Sequence, residues 1–547
     1  MEETKRDMRE RLPHTRKIFF SLFESLTDVQ KQTIPVILSK KNALIISPTA
    51  SGKTEAVMSP ICERMVEECN GEFNSKKLLL IYIVPTKALV SDIYKRLEGK
   101  LSSLNISAAT KTGDQNNFKI SQPQNVLFTT PESCDSLLSR HPEILKEIKF
   151  VIMDELHFLD NNYRGDQLRV LLKRITDISN NPNEVNYYAM SATINEPDEM
   201  CKRYFKNYEI IISEGSRKII FATIDAGKGF EELAKIKNIF LERKINRAIF
   251  FCNSRKKTIE VTAQLKEIYD ERDDRIFEHH SSISPNLRKH AEREMAREDN
   301  ILSFCVATAS LEIGIDIGSI QAVVLIEPPL TVSSLLQRIG RGNRRTKKTT
   351  CFGVFELPED KKVFSEMIHN ARNGIIENIK YQSDMSVAVQ QILSLTMQKK
   401  NENGGKLTRK KIHEFLDILA GNPEHIDLII DKIIVDEYIE EFRGKIIPTS
   451  KLLDFHHTSR GRTNVNIPAS CMLKVVDQSG NIIGEILKPT EKMKKIQFAS
   501  FKWEVNEVHK DKIIVNKTTG KTSIPQFSSH VDNGYFYSWL PVELKNL

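Results

Sequence analysis

Residues Ala43–Ala56 read ALIISPTASGKTEA, and this stretch sets the interpretation of the whole chain. The apolar run ALII predicts a buried strand, and the polar residues after it predict a tight loop that opens a helix. Gly52 lets the backbone pass close to an anion because it carries no Cβ. Loop N–H groups and the positive end of the helix then face a phosphate. Lys53 is placed to reach terminal phosphates, and the Thr54 hydroxyl is placed to hold Mg²⁺.

The candidate nucleotide site extends to both sides of this lysine. An ordinary strand, turn and helix with a single lysine is the alternative, so the remaining motifs have to decide. Gln30 lies upstream, in a helix predicted over Leu26–Leu38 with Thr27 or Asp28 as its cap. It could read a purine edge or be a surface glutamine. The residues assigned to nucleotide binding in the loop are Ser47, Pro48, Thr49, Ala50, Ser51, Gly52, Lys53, Thr54 and Glu55.

Composition places the chain among globular proteins with several domains. Its 547 residues are too many for one core, and 40% hydrophobic with 28% charged residues is ordinary for a soluble protein. The formal net charge of +8 is a mild indication of a polyanionic partner. The charged start does not fit a secretory signal, and no apolar run is long enough to cross a bilayer. The 8 cysteines form no C-x-x-C pair, so zinc and iron–sulfur sites are not indicated and a cytoplasmic location is expected.

Polar turns follow several predicted strands in the first half of the chain. Predicted strands at 78–84 and 126–129, and a weaker one before Thr112, each end in such a turn. In a sheet built from alternating strands and helices, ligands bind at the carboxyl ends of the strands. These turns are therefore candidates for gripping a sugar–phosphate backbone, although each taken alone could be only a turn. The candidate residues are Thr86, Lys87, Gly113, Asp114, Thr130 and Pro131.

An acidic pair follows another apolar run, FVIM at Phe150–Met153. Adjacent carboxylates at a strand end are costly to bury unless a cation or a proton-transfer task requires them. Asp154 is placed to hold Mg²⁺, and Glu155 is placed to polarise an attacking water. The alternative is a helix start with acidic residues near its positive end. The triplet Ser191–Thr193, after a further predicted strand, could hydrogen-bond the acidic pair or cap the next helix.

The second half repeats the alternation after a linker predicted at Ser213–Gly229. The adjacent histidines of FEHHSSIS, at Phe277–Ser284, have no further metal ligands near them in the sequence. A turn that contacts the backbone of a partner is therefore preferred to a zinc site. Gly314 and Asp316 lie in a tight turn of ATASLEIGIDIG that can face both lobes. The residues of this half assigned to nucleic-acid contact are Asn253, Ser254, Arg255, His280 and Thr308.

Arginines are grouped in LLQRIGRGNRR, at Leu335–Arg345. Gln337, Arg341 and Arg344 fall at helical spacing on about one face. Arginine keeps its charge and binds phosphate oxygens in a forked geometry. Supplied from a second lobe, these arginines can act as fingers on a γ-phosphate, worth about 10³–10⁵ in rate in comparable systems. The alternative, a solvated basic helix, does not explain why glycine and glutamine interrupt it.

Taken in order, the motifs resemble those of a superfamily-two DEAD/DEAH-like helicase. They read SPTASGKT, PTKAL, TGD, TPES, DELH, SAT, FCNSR, ATASLEIGIDIG and QRIGRGNRR, and they cover residues of about Leu26–Arg345. The large-helicase-related (Lhr-type) branch is resembled in particular. The signs of that branch are Arg164 and Gly165 after DELH, the HHSSIS stretch and SLEIGIDIG.

The resemblance implies two lobes that clamp ATP and Mg²⁺ and a nucleic acid that lies across both. It implies that Gln30 recognises adenine and that Lys53 and Thr54 bind the triphosphate and Mg²⁺. Asp154 and Glu155 would drive hydrolysis, and Gly314 and Asp316 would belong to the nucleotide site. Gln337, Arg341 and Arg344 would sense the γ-phosphate. The chain departs from the family pattern at three positions. Ser47 replaces glycine or alanine, Lys87 replaces the commoner arginine, and Asn343 replaces the glycine before Arg344.

Two further domains are predicted beyond the motor. Three helices and a basic hairpin tip at Arg443–Lys445 suggest a winged helix. Such domains read DNA grooves in free-standing proteins, but in helicases of this type bracing of the motor lobes is expected. From Lys451 onward, short alternating strands predict an antiparallel β domain. Its loop at His456–Asn464 could touch phosphates, whereas Trp503 is expected in the core rather than stacked on a base.

The predicted fold is therefore α/β, with two tandem RecA-like parallel-sheet lobes followed by a winged-helix domain and a small antiparallel β domain. The predicted domains are 1–213 for lobe one with its ATP site, 214–371 for the linker and lobe two, 372–449 for the winged helix and 450–547 for the β-rich domain.

The predicted function is an ATP hydrolase that acts as a helicase or translocase on single-stranded nucleic acid, with DNA favoured over RNA. Movement from 3′ to 5′ is implied by the resemblance alone. One alternative is a remodelling translocase that opens no duplex. Another is the motor or scaffold subunit of a DNA-processing or defence complex with a partner chain. No membrane association is expected.

Overall fold

The computed structural model describes most of the chain in twenty-one segments. The described residues are 10–21, 25–48, 51–68, 77–192, 194–213, 218–227, 233–269, 275–297, 299, 301–312, 318–342, 348–377, 383–402, 405–419, 422–458, 462–467, 472–487, 494–509, 512–519, 522–523 and 534–545. The chain forms two compact units. The first comprises Met1–Glu214, Asn378–Pro468 and Val531–Leu547, and the second comprises Gly215–Glu377 and Ala469–His530.

The first unit is built on a sheet of seven strands in the order β3-β4-β2-β5-β6-β1-β7. Every neighbouring pair in it is parallel, so its carboxyl ends meet at one edge. Four central strands are completely buried apolar runs, as parallel sheets covered on both faces require. The strands are β1 Ala43–Ile46, β2 Leu80–Ile83, β3 Ala108–Lys111, β4 Val126–Thr129, β5 Phe150–Met153, β6 Asn186–Ser191 and β7 Glu209–Ile212. The helices are α1 Arg16–Phe20, α2 Asp28–Leu38, α3 Lys53–Glu68, α4 Lys87–Ser102, α5 Pro131–Arg140, α6 Tyr163–Ile178 and α7 Pro197–Tyr204.

The second unit carries a parallel sheet of six strands in the order β10-β11-β9-β12-β13-β8. Its strands are β8 Lys218–Asp225, β9 Arg247–Phe251, β10 Ile276–His279, β11 Ser303–Ala307, β12 Ala322–Leu325 and β13 Lys348–Phe355. Its helices are α8 Lys235–Arg243, α9 Arg255–Tyr269, α10 Pro285–Ala296, α11 Val332–Ile339 and α12 Pro358–Arg372. The predicted linker at Ser213–Gly229 is wrong over β8, which pairs with β13 through eight residues as an edge strand. Charged residues around KIIFATID hid its alternating apolar pattern.

Helices and a hairpin that match the winged-helix prediction follow in the first unit. They are α13 Ser386–Asn401, α14 Arg409–Leu416, α15 Pro423–Val435, the antiparallel pair β14 Ile439–Phe442 and β15 Lys445–Pro448, and α16 Ser450–Thr458. Helix α13 is buried along nearly its whole length against α5 and α6. The expected bracing is therefore observed for one lobe, on helices α5 and α6 of the first unit.

One buried carboxylate organises that contact. Asp135 of α5 pairs with Arg174 of α6 at 2.9 Å, and neither side chain is exposed. Both Gln390 and Gln391 of α13 donate to Asp135, at 2.8 Å and 2.7 Å, and Asn464 donates at 3.2 Å. A buried charge pair is tolerable when hydrogen bonds satisfy the remaining lone pairs, and this one is satisfied by three separate parts of the chain.

The β domain belongs to the second unit. Its strands are β16 Met472–Asp477, β17 Ile482–Leu487, β18 Lys495–Phe498, β19 Phe501–Val508 and β20 Lys512–Lys517, in the order β17-β16-β20-β19-β18. The sheet is mixed rather than purely antiparallel, because β16 and β20 run parallel. It docks onto the loop before α10: Ser284 N donates to Ile483 O at 2.8 Å, and a Cβ on Gly484 would lie 2.2 Å from Ser282 O. Trp503 is a core residue, as expected, and its Nε1 donates to Phe498 O at 2.7 Å.

After the β domain the chain returns to the first unit. Tyr535 N donates to Asn466 O at 2.7 Å, and Phe536 N donates to Asn466 Oδ1 at 3.0 Å. Phe536 is completely buried in the core around α13. The β domain is therefore an excursion between two neighbouring points of the first unit. Within the described residues, the helices include none long and apolar enough to traverse a lipid bilayer.

We expect Asp135→Ala to destabilise the first unit by about 3–5 kcal/mol, because it leaves the Arg174 guanidinium buried without its counter-charge. Urea unfolding followed by Trp539 fluorescence measures this in a Trp503→Phe background, since the chain has 2 tryptophans. Asp198→Ala is the matched control, because its ion pair with Lys202 is exposed, and it should leave the midpoint unchanged. Equal midpoints for both variants would contradict the assigned role of the buried carboxylate.

Candidate active site and nucleic-acid interface

The phosphate loop has the geometry that the sequence predicts. It continues β1, and Ser47 N donates to Ser191 O at 3.1 Å, which fixes the loop against β6. Gly52 adopts φ +89°, and a Cβ there would lie 2.4 Å from Gln30 Nε2. The Lys53 ammonium is largely buried and donates to Ser47 O and, at 3.3 Å, to Pro48 O. Lys53 therefore lies inside the loop, where phosphate oxygens would replace these carbonyl acceptors.

Gln30 links the preceding helix to this loop. It closes a capping box with Thr27, whose N–H donates to Gln30 Oε1 at 3.0 Å. Its Nε2 also donates to Gly52 O at 3.4 Å, and the residue is 4% exposed. The surface-glutamine alternative is therefore wrong, and the purine-reading role stays a prediction.

The acidic pair lies at the end of β5. Tyr82 of β2 donates from its hydroxyl to Asp154 Oδ2 at 2.7 Å, and Glu155 N donates to Asp154 Oδ1 at 2.8 Å. Burial, followed by the charge of Glu155, raises the pKa of Asp154 to about 6, while Lys53 acts in the opposite direction. Burial beside a second carboxylate disfavours the charged form of Asp154, which accounts for the direction of this shift.

Glu155 is held in a strained conformation. Its φ of 49° is left-handed, which is uncommon for a residue other than glycine and recurs at functional sites. Its Oε2 is buried and accepts no hydrogen bond from any residue that the structure describes. His157 Nδ1 lies 2.9 Å from Ser191 Oγ, and burial, with a contribution from Lys53, lowers the pKa of His157 to about 3. Ser191 thus contacts the neutral histidine rather than the acidic pair.

Other predicted nucleotide residues have different surroundings. Glu55 faces away from an anion site, because its Oε1 lies 3.2 Å from Lys100 Nζ and 3.8 Å from Arg96 Nη2. Thr54 follows Lys53 in the first turn of α3. Among the described residues, no three histidine, cysteine, aspartate or glutamate side chains are arranged to hold a metal. The predicted residues Thr49, Ala50, Gly314, Asp316 and Arg344, and also Thr193 and Asn343, lie outside the described residues.

The first unit brings its predicted nucleic-acid residues to one edge of the sheet. Thr86 caps α4 by accepting from Leu89 N at 3.3 Å. Lys87 Nζ pairs with Asp114 Oδ1 at 2.7 Å, and Gly113 lies beside the same lysine. Thr130 and Pro131 begin α5 at the end of β4. The turns follow β2, β3 and β4, which are neighbours in the sheet.

The second unit joins Asn253 to Arg338 of α11, and because this helix ends at Ile339, the predicted helical spacing of Gln337 and Arg341 on one face is wrong. Asn253 Oδ1 accepts from Arg338 Nη1 at 2.9 Å, and Arg338 Nε donates to Glu312 Oε1 at 2.6 Å. Arg341 is buried and donates to Glu312 O. Gln337 is also buried on α11. Sequence reasoning missed Arg338 and Glu312, although QRIGR and SLEIG contained the two opposite charges that would have indicated their pairing.

The remaining candidates of this unit are placed unequally. Ser254 caps α9 by accepting from Lys257 N at 3.1 Å, and burial lowers the pKa of Arg255. Thr308 N donates to His279 O at 3.2 Å at the end of β11. His280 is completely buried, with Nε2 3.7 Å from Glu278 Oε2 and its ring beside Phe498 of the β domain. This placement favours a structural role for His280 over contact with a nucleic acid.

Tyr82 is the site residue that sequence reasoning missed in the first unit. It stands inside the apolar run LLLIYIV, where an aromatic residue is ordinary for a buried strand. The order of strands decides its role, because β2 lies beside β5 and brings the hydroxyl to Asp154. No signal in the sequence specifies that neighbour.

We expect the charge on Asp154 to destabilise the fold above about pH 6. Its folded pKa is raised, so about 3 kcal/mol of stability is lost as pH rises from about 4 to about 6. Asp154→Asn should therefore raise the melting temperature at about pH 7.5, where the wild-type carboxyl is charged, and lose this advantage at about pH 4. Thermal unfolding across this pH range measures the difference. Exposed Asp114→Asn is the control, and the same pH dependence in both variants would contradict the assignment.

Two family models match the chain in the order of its two parallel sheets. The DEAD/DEAH box helicase model matches residues 27–200, and the helicase conserved C-terminal domain matches residues 231–346. Both ranges contain the loops described above.

Similar proteins carry related names. ATP-dependent helicase Lhr-Core protein 2 of Thermococcus barophilus is 30% identical over 483 residues, which cover 79% of this chain and 55% of the relative. ATP-dependent helicase Lhr-Core of Sulfolobus acidocaldarius is 26% identical over 578 residues, covering 95% of this chain and 63% of the relative. The chain thus spans less than two thirds of the length of either relative. Both names agree with the predicted ATP hydrolase class.

A solved structure supports the fold. Mycobacterium smegmatis helicase Lhr bound to ssDNA and AMP-PNP has a TM-score of 0.71 and 22% identity, covering 84% of this chain and 62% of that one. The predicted two-lobe α/β fold is confirmed by this similarity and by the two parallel sheets. From its ordered motifs, its matched models and its relatives, the chain belongs to the superfamily-two DEAD/DEAH-like helicases, in the Lhr-type branch.

Proposed function

We propose that this chain is an ATP-hydrolysing motor that moves from 3′ to 5′ on single-stranded nucleic acid and separates duplexes. The observation that carries the proposal is that β6 pairs with both β1 and β5, which brings the loop of Lys53 and the acidic pair to the same edge of the sheet. A loop that binds phosphates thus lies beside a carboxylate pair at the carboxyl edge of one sheet. Phosphoryl transfer to water needs this combination of positioning and charge.

The residues present suit Mg²⁺. Asp154 is a buried carboxylate whose pKa is raised to about 6, and a cation beside it would reverse that shift. Thr54 and Asp154 would hold the ion, which supplies positive charge against the β- and γ-phosphate oxygens. Lys53 binds the same phosphates from the loop. Tyr82 orients Asp154 through the 2.7 Å hydrogen bond to its Oδ2.

Glu155 is proposed to orient the attacking water and to accept its proton. Its buried Oε2 accepts no hydrogen bond from a described residue, and His157 Nδ1 lies 3.5 Å from it. His157 is neutral at ordinary pH, so it can hydrogen-bond Ser191 without adding a charge beside Lys53. Gln337 and Arg341 of the second unit stay proposed as residues that sense the γ-phosphate, and Arg344 is proposed with them from its motif position.

The nucleic acid is proposed to contact the turns after β2, β3 and β4. Helix starts and small hydroxyls at Thr86 and Thr130 bind phosphates without reading bases, so binding should tolerate any sequence and weaken with salt. The Mycobacterium smegmatis relative bound to ssDNA supports DNA over RNA as the track. A partner chain and a cytoplasmic location are also proposed.

A remodelling translocase that opens no duplex is the second candidate. Residues 318–337 of the second unit are too few to contain an inserted strand-separating hairpin. The β14–β15 hairpin of the first unit and the β domain are therefore the elements proposed to separate strands. A translocation assay beside a strand-displacement assay separates the two candidates.

We expect Lys53→Ala and Glu155→Gln each to lower ATP turnover by about 100-fold or more, since one loses the phosphate contact and the other loses the proton acceptor. Phosphate release is measured without nucleic acid and with single-stranded DNA, single-stranded RNA and duplex DNA. Exposed Lys41→Ala, which pairs only at the surface with Glu209 at 2.7 Å, is the matched control. Turnover that survives in Lys53→Ala and Glu155→Gln, or is absent with every nucleic acid, would refute the motor.

Excision of the β domain tests its part in strand separation. Because Asn466 and Tyr535 are hydrogen-bonded at 2.7 Å, residues 469–530 can be replaced by a short glycine–serine linker without stretching the first unit. We expect ATP turnover to continue and strand displacement to fall about tenfold or more. Ile283→Ser and Leu287→Ser can be added to keep the uncovered surface of the second unit polar. Full strand displacement by the excised chain would exclude the β domain as the separating element.

A further inference from the structure

A rigid arm connects the acidic pair to α6. Phe158 N donates to Glu155 O at 3.0 Å, and Asp160 N donates to Leu156 O at 2.8 Å. Asn162 then caps α6 by accepting from Arg164 N at 2.9 Å. Each link is a local hydrogen bond, so the segment from Glu155 to the start of α6 has few ways to bend.

Gly165 fixes that arm against its own turn. A Cβ at this position would lie 2.3 Å from Leu159 O and 2.9 Å from its carbonyl carbon. The first turn of α6 is therefore packed directly on the backbone that follows DELH. No side chain separates the start of α6 from the Leu159 backbone, so a displacement of that backbone would move this end of α6.

The arm ends in a forked ion pair on another motif. Arg164 Nε donates to Glu132 Oε1 at 2.6 Å, and Arg164 Nη2 donates to Glu132 Oε2 at 3.2 Å. Both side chains are mostly buried. Burial raises the pKa of Glu132, but Arg164 outweighs burial and holds that pKa below its usual value. A bidentate pair of this kind fixes direction as well as distance.

Glu132 stands in the first turn of α5, directly after Thr130 and Pro131. The N-terminal end of α5 is the part of this helix that faces the proposed nucleic-acid edge. One turn further along α5, Asp135 is held to α13, for which Gln391 donates at 2.7 Å, and to α6 through Arg174 at 2.9 Å. Helix α5 is therefore held to α6 at two successive turns, and the Arg164–Glu132 pair is the contact nearer to Thr130.

We propose that the Arg164–Glu132 pair is the positioning contact that couples nucleic-acid binding at Thr130 to ATP hydrolysis at Glu155. This inference rests on the proposed function. Arg164 touches neither substrate, so it acts through Glu132 and through the arm. In the bound state, the pair carries the position of α5 back to the strained Glu155 backbone, where it aligns the carboxylate.

The test compares ATP turnover with and without a single-stranded DNA oligonucleotide in Glu132→Gln and Arg164→Lys. Gln keeps the size of Glu, and Lys keeps the charge of Arg, so each variant loses the fork while the packing is preserved. We expect the stimulation by DNA to fall about tenfold, within the usual range of coupling between sites, while turnover without DNA stays within about twofold. The exchange Glu132→Arg with Arg164→Glu should recover part of the stimulation.

Glu68→Gln is the matched control. Glu68 lies at the end of α3 far from Lys53 and pairs with Lys149 at 2.7 Å, so its loss should leave stimulation unchanged. Unchanged stimulation in Glu132→Gln and Arg164→Lys would overturn the coupling while leaving the motor intact. Basal and stimulated turnover that fall together with the melting temperature would assign the pair a merely structural role. A wild-type chain that hydrolyses ATP without any response to nucleic acid would overturn both proposals.

Discussion

The Asp135 carboxylate is the constraint on which the first unit depends. It is completely buried on α5, and the groups that donate to it come from α6, from α13 and from Asn464. These segments are far apart in the sequence, so the charge is compensated only when all of them are assembled. The winged-helix region is thereby joined to the first lobe as part of one core, and its detachment would remove the Gln390 and Gln391 donors from the buried Asp135 carboxylate. The bracing expected from the family has a specific chemical cause here.

The nucleotide site shows a different balance between stability and function. Asp154 is kept charged at neutral pH against its burial, and Glu155 is kept in a left-handed conformation. Both features oppose folding. A bound cation would compensate the charge of Asp154, and the conformation of Glu155 would place its carboxylate for the proposed reaction. Protein sites that bind cations and activate water commonly retain such unfavourable arrangements. The burial of β1, β2 and β5 along their whole length stabilises the fold and offsets this unfavourable free energy.

Much of this arrangement was predictable from the sequence. Four-residue apolar runs such as ALII and FVIM identify buried parallel strands, and the loops after them carry their own chemistry in glycine, lysine and carboxylate residues. Partners that depend on strand order were not predictable. Tyr82 meets Asp154 only because β2 lies beside β5, and His280 meets Phe498 only because the β domain docks on its loop. The edge strand β8 was missed for a related reason, since a strand with one neighbour tolerates a mixed pattern. The path of the chain back to the first unit after residue 530 has no local signal at all.

That return path has a consequence for how the protein is made. A ribosome delivers α13 and its neighbours long before it delivers Phe536, which completes their apolar core. Until then, the apolar surface that Phe536 later covers stays exposed on the nascent chain while the whole β domain is synthesised. Truncated products that end within the β domain would leave this apolar surface exposed, and chaperones or proteases could bind them there. Correct folding of the first unit thus depends on residues that are synthesised only after the β domain, because Phe536 packs into the core around α13.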